Sequence, residues 1–173
     1  MSELDSMFNE FARAFVGTVT TDHEIAFPEH LRREDLDGSV ESLHVVDEYL
    51  AFLHENRERI AVDERRSTVL WGGAYVGEVI RHARVGIFEW IDYDEYMPAH
   101  PHLHPLIPER TVASCAFLVA SDGSMSMPLN KIARFIDEGP ENSVHFFAHC
   151  DLAKRISKPR TGWWKSLFGK RPN

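Results

Sequence analysis

Three glycines, Gly72, Gly73 and Gly77, interrupt a helical hydrophobic pattern that runs from Asp63 to about Ala83. Each glycine inside a helix costs roughly 1 kcal/mol against alanine. So dense a group therefore needs a reason on the face that carries it. Either another part of the chain passes too close for a side chain, or a ligand lies against bare backbone. A phosphate loop is excluded, because Gly77 is followed by Glu78 and not by the Lys-Ser/Thr pair that such a loop requires. The pattern places Val69, Gly73, Val76, Gly77 and Ile80 on the buried face, with Asp63 as the cap.

The surrounding periodicity sets the order of elements. Phe8, Phe11, Phe15 and Val16 predict a first helix from about Leu4 to Val16. Thr18 to Asp37 reads as a connection with a short strand near Ile25 to Phe27. Leu43, Val46, Leu50 and Leu53 form the inner stripe of a second helix, which starts near the cap Ser39 and ends at Arg57 to Arg59. After Arg84 the period shortens, and a strand is predicted over Gly86 to Tyr93. Thr111 to Ala120 reads as a buried strand. Ser121-Asp122-Gly123 turns it into a hairpin partner at Ser124 to Met127, and Pro128 ends that ladder. Leu129 to Glu138 is predicted as a helix stopped by Gly139-Pro140. Ser143 caps a last helix to about Ile156. Helices, then a small antiparallel sheet with a hairpin, then helices make an α+β fold. The 173 residues suit one domain over residues 1–158, followed by a tail over residues 159–173.

Charge divides the chain a little earlier, at Lys154. Seven of the 19 lysines and arginines lie from Lys154 onward, with no acidic residue among them; the remaining 12 face 27 acidic residues, so the body carries −15. Such a body repels phosphates and argues against a nucleic-acid surface. The N-terminus lacks a basic-then-apolar export signal, and no apolar run approaches the ~20 residues of a membrane span. The expected compartment is the cytoplasm, with Cys115 and Cys150 as small core residues and not a disulfide.

Three segments are candidates for chemistry. His100, His102 and His104 alternate with proline and leucine; on an extended segment their imidazoles project together, as a pair of metal ligands would. Four prolines between Pro98 and Pro108 equally suit a stiff, solvent-facing loop. Glu78 and His82 are spaced i, i+4, which fits a base with its orienter or an ordinary surface pair. Asp92-Tyr-Asp-Glu-Tyr96 reads as a carboxylate-rich strand end. In the tail, Trp163, Trp164, Leu167 and Phe168 share one helical face beside Lys165, Lys170 and Arg171. This segment suits an anionic membrane surface at the inner face of the membrane, a partner groove, or fold-back on the acidic body.

The run Trp71-Gly-Gly-Ala-Tyr-Val-Gly-Glu-Val-Ile-Arg81, the Trp90 strand, Met127-Pro-Leu-Asn-Lys131, Phe135, Gly139 and Ser143-Val-His-Phe-Phe147 together resemble a group of uncharacterised bacterial cytoplasmic domains. Those domains carry a Gly-x-Tyr-x-Gly-Glu-x-Ile helix and are of accessory or immunity type. The resemblance spans about Leu43 to Phe147. It implies the same element order and no catalytic residues. The sequence thus predicts a non-enzymatic binding or accessory domain with a protein partner and no cofactor. The competing expectation is a metal-dependent hydrolase using the His100 to His104 loop.

Overall fold

The computed structural model describes residues 2–153. Among these are six α-helices and one three-stranded antiparallel sheet, in an α+β arrangement. The helices are α1 (Glu3–Val16), α2 (Leu43–Glu55), α3 (Val62–Ala83), α4 (Tyr93–Ala99), α5 (Pro128–Glu138) and α6 (Val144–Ala153); the strands are β1 (Phe88–Asp92), β2 (Ala116–Ala120) and β3 (Met125–Ser126).

Helix α3 is the axle of the domain. Every residue from Ser67 to Ile80 except Leu70 is buried, so the helix is enclosed on all sides and not on a single stripe. The glycines make this possible. A methyl group at Gly73 would lie 2.6 Å from the Leu129 Cα of α5, and one at Gly77 would lie 2.2 Å from the Trp90 ring of β1. One glycine admits a helix backbone and the other admits an indole. Gly72 has more room, with the Phe15 ring 3.3 Å from the same added atom. Close passage of protein therefore accounts for the cluster.

Around this axle α1 runs antiparallel to α3, with Phe15 beside Gly72 and Asn9 beside Glu78. It starts with a reciprocal cap: the Ser2 hydroxyl accepts from the Asp5 backbone, and the Asp5 carboxylate accepts from Ser2. Helix α2 buries the predicted Leu43, Val46, Leu50 and Leu53. It starts at Leu43, because Ser39 to Ser42 form a preceding turn in which the Ser39 hydroxyl accepts from the Ser42 backbone. At the head of α3, Asp63 sits inside the first turn, and Glu64 reaches back to the Ala61 backbone.

The sheet order is β1-β2-β3, with Phe88 opposite Ala120, Asp92 opposite Ala116 and Leu118 opposite Ser126. Strand β2 is buried on both faces. Ala116, Leu118 and Ala120 join the main core, while Phe117 and Val119 join a second cluster with Tyr93, Tyr96, Met97 and Ile107. A strand buried on both faces has no polar alternation, which explains why this run is continuously apolar.

Four expectations are corrected. Ile25 to Phe27 is no strand; Ile25 and Ala26 are buried plugs ahead of a 3-10 turn at Pro28–His30, and Thr68 accepts the Ala26 N–H. The run from Thr111 pairs only from Ala116, because Thr111 and Ser114 close a turn on each other. Of Asp92 to Tyr96 only Asp92 belongs to the strand; the rest is helix α4. Asp92 caps α4 by accepting from the Asp94 backbone, and Pro98 falls within that helix. Cys150 is exposed, whereas Cys115 is half-buried; both are free thiols.

The packing gives a graded prediction. Gly73→Ala and Gly77→Ala should each lower unfolding stability by about 1–3 kcal/mol through overpacking. Gly72→Ala, whose added methyl meets only the ends of the Phe15 and Ile132 side chains at 3.3 and 3.5 Å, should cost less than either. Urea melts of the three variants test the order; equal effects at all three positions would contradict it.

Candidate functional site

The Gly-Glu part of the motif builds structure. The Glu78 side chain is 5% exposed and is held from three directions. Trp90 donates its indole N–H at 2.9 Å, Arg81 donates two hydrogen bonds at 2.8 Å, and Asn9 donates one at 3.2 Å. His82 lies 3.7 Å away and is 59% exposed. Glu78 is thus neither one half of a surface pair nor a free base: its oxygens already accept from α1, α3 and β1. The motif tyrosine acts alike, with the Tyr75 hydroxyl 2.7 Å from the Ser42 hydroxyl and accepting from the Gly38 N–H.

A second carboxylate completes this lock. Asp5 is buried, and its Oδ1 accepts the Trp90 backbone N–H at 3.1 Å. Burial pushes its pKa up, but hydrogen bonds from Ser2 and Trp90 and the nearby Arg81 charge outweigh burial and hold it below the ordinary value.

The histidine loop does not take the extended form. His100 follows α4, its Nδ1 lies 2.9 Å from the Tyr96 carbonyl, and its ring stacks on Tyr96 at 3.9 Å. A 3-10 turn at Pro101–Leu103 then rotates His102, leaving its ring 6.0 Å from that of His100, and both His102 and His104 are exposed. Among the described residues no three His, Cys, Asp or Glu side chains are placed to share a metal ion. Asp92 and Asp94, upstream of the loop, are ion-paired to Arg110 at 3.0 and 3.5 Å.

The main concavity lies elsewhere, on the outer flank of α1. One cleft of about 460 Å³ lies between α1, the first half of α3 and Val19 to His23. A second, of about 310 Å³, continues from it toward Arg110 to Ala116. Phe11, Arg66 and Leu70 line both, so the two form one groove. Its apolar lining comes from Leu4, Met7 and Phe11 of α1 with Leu70 and Val112, and the second half also carries Arg66, Asp92, Arg110 and Thr111. Met7 is 41% exposed. Glu10, Asp63 and Arg66 stand on the rim. Arg66 is exposed and forms no ion pair or hydrogen bond with a described residue. Cys115 lies in the second half, its thiol pKa raised by burial. Periodicity could have revealed this groove: Leu4, Met7 and Phe11 repeat at i, i+3 and i+7 along one flank of the stripe formed by Phe8, Ala12 and Phe15, widening the apolar arc of α1.

The tail residues Trp163, Trp164, Lys165, Leu167 and Phe168 lie outside the described residues. No helix among the described residues is long and apolar enough to cross a membrane. Comparison with protein-family models, with curated proteins and with solved structures gives no match to this chain.

Two outcomes test the structural reading of the buried carboxylates. Glu78→Ala strands the Trp90 N–H and the Arg81 guanidinium, and should cost about 3–5 kcal/mol, the usual cost of breaking a buried pair. For Asp5, a depressed folded-state pKa means that its stabilisation is full above the unfolded value and lost as pH falls through the lower folded one. Urea melts between pH 6 and pH 2 should show this acid loss in the native chain and a flatter limb in Asp5→Asn. An unchanged limb would remove Asp5 from the lock.

Proposed function

We propose that this chain is a non-enzymatic binding domain of accessory or immunity type, and that it takes a protein partner in the α1–α3 groove. The observation that carries the proposal is the continuity of the two clefts along Phe11 and Leu70, which line both, with Leu4 and the exposed Met7 beside them in the second. Apolar side chains exposed together on a concave surface favour an apolar insert from another molecule. The groove runs along α1 from Leu4 to Ala14, about 15 Å at 1.5 Å per residue. That length suits two or three turns of helix or a short extended segment.

Charge supports the type of partner. The −15 body steers a basic molecule toward the domain, and the Glu10 and Asp63 carboxylates stand where its cations would arrive. Arg66 offers a local counterpoint for a carboxylate or backbone carbonyl on the same partner. The commitment of Asp5 and Glu78 to internal hydrogen bonds favours binding over acid–base chemistry at those residues.

A photo-crosslinking amino acid at Met7, in cells that naturally make the chain, should yield one adduct of defined mass. The same label at Val85, which is 86% exposed and lines none of these clefts, should not yield that adduct. Leu70→Arg should abolish the Met7 adduct, and raised salt should weaken it. No adduct at Met7, or the same adduct from Val85, would overturn the groove as the binding surface.

A further inference from the structure

His145 and His149 occupy successive turns of α6, one above the other, with Nε2 atoms 3.1 Å apart and rings at 78°. Two nitrogens bound to one zinc ion at about 2.0–2.1 Å stand roughly 3.3 Å apart in a tetrahedron, and cis ligands of an octahedron roughly 2.9 Å apart. The observed separation falls between the two. We propose that His145 and His149 form a two-imidazole chelate for a borderline divalent cation such as zinc or nickel, a site separate from both the groove and the His100 to His104 loop.

The local structure holds this chelate in place. His44 of α2 stacks on His145 with ring centroids 3.6 Å apart, which fixes the imidazole plane. The start of α6 is pinned by Asp47: it accepts the Val144 N–H at 2.7 Å and the Ser143 hydroxyl at 2.6 Å. Ser143 in turn accepts the Phe146 N–H, and Ser126 ties Asp151 at the far end. Two ligands on a helical turn anchored on both sides need little reorganisation to bind.

Among the described residues no third His, Cys, Asp or Glu converges on the pair, so the remaining coordination positions are open to water or to a donor from a bound molecule. Imidazole nitrogens select zinc, nickel or copper; magnesium and calcium prefer oxygen.

Calorimetric titration of the full chain, prepared without an affinity tag, with zinc sulfate at pH 7.5 tests the site. One zinc per chain is expected, and magnesium should give no binding. His145→Ala and His149→Ala should each weaken zinc at least about tenfold, since even outer-shell partners are worth that much. His102→Ala should leave it unchanged. His44→Phe, which keeps a stacked ring without a donor, should retain zinc. Zinc should raise the melting temperature of the native chain but not that of His149→Ala, a readout separate from any loss of helix on substitution. Undiminished binding by His149→Ala, loss through His102→Ala, or no zinc binding by the native chain would each overturn the proposal.

Discussion

The indole of Trp90, lying across Gly77 with its N–H on the Glu78 carboxylate, is the contact on which this fold depends. It joins adjacent residues of α3 to the middle of β1 by two means at once. Gly77 supplies the space and Glu78 supplies the acceptor. The other face of the ring stacks on Phe8 at 4.0 Å, and the backbone N–H of the same tryptophan is held by Asp5. One residue thus meets α3 through its ring edge, α1 through its ring face and the α1 N-terminus through its amide. A buried carboxylate is tolerated there because its charge is met by Arg81 and its oxygens by Trp90 and Asn9.

This arrangement explains why a groove exists. Helix α1 spends Phe8, Ala12 and Phe15 on the core, and its entry is set by the Ser2–Asp5 cap. A second stripe, Leu4, Met7 and Phe11, is then left on the flank, where α3 begins and Arg110 to Ala116 curves past. The apolar arc of α1 is thus wider than the stripe that the core takes up. Its flank is only partly covered, and the exposed Met7 there favours the proposed binding role.

Much of the scaffold was legible from periodicity and punctuation. The inner stripe of α2, the Gly139-Pro140 stop and the Ser143 cap each depend on residues within one or two turns of one another. The glycine cluster was legible as a demand for close approach, though not for what approaches: Leu129 and Trp90 are distant in sequence from Gly73 and nearby Gly77, respectively. The failures have the same origin. Asp92 to Ala99 carries a proline, yet its helix is fixed by the Asp92 cap and by the packing of Tyr93, Tyr96 and Met97 on Phe117 and Val119. Those partners arrive only with β2. Ile25 and Ala26 read as strand because they are apolar, but Thr68 and Tyr49 take the Ala26 N–H and carbonyl in place of a neighbouring strand. The histidine loop misled because alternation implies a shared direction only on extended backbone, and the turn at Pro101–Leu103 removes that condition.

The candidate sites differ in a way that bears on how the domain works. Buried carboxylates are committed inward: Asp5 to Trp90 and Ser2, Glu78 to Arg81 and Trp90, Asp151 to Ser126. Changing any of them alters the scaffold before it alters chemistry. The groove floor and the His145–His149 pair are instead borne on the outer surfaces of helices whose inner faces are already fixed. Substitutions at Met7 or His149 therefore change what the surface offers while leaving the Trp90 lock in place. The buried central stretch of α3, Ser67 to Ile80, makes that separation possible, because its contacts with α1 do not depend on whether the groove is filled. If the groove binds as proposed, it does so as a preformed surface, with little of the ordering cost that a flexible groove would add.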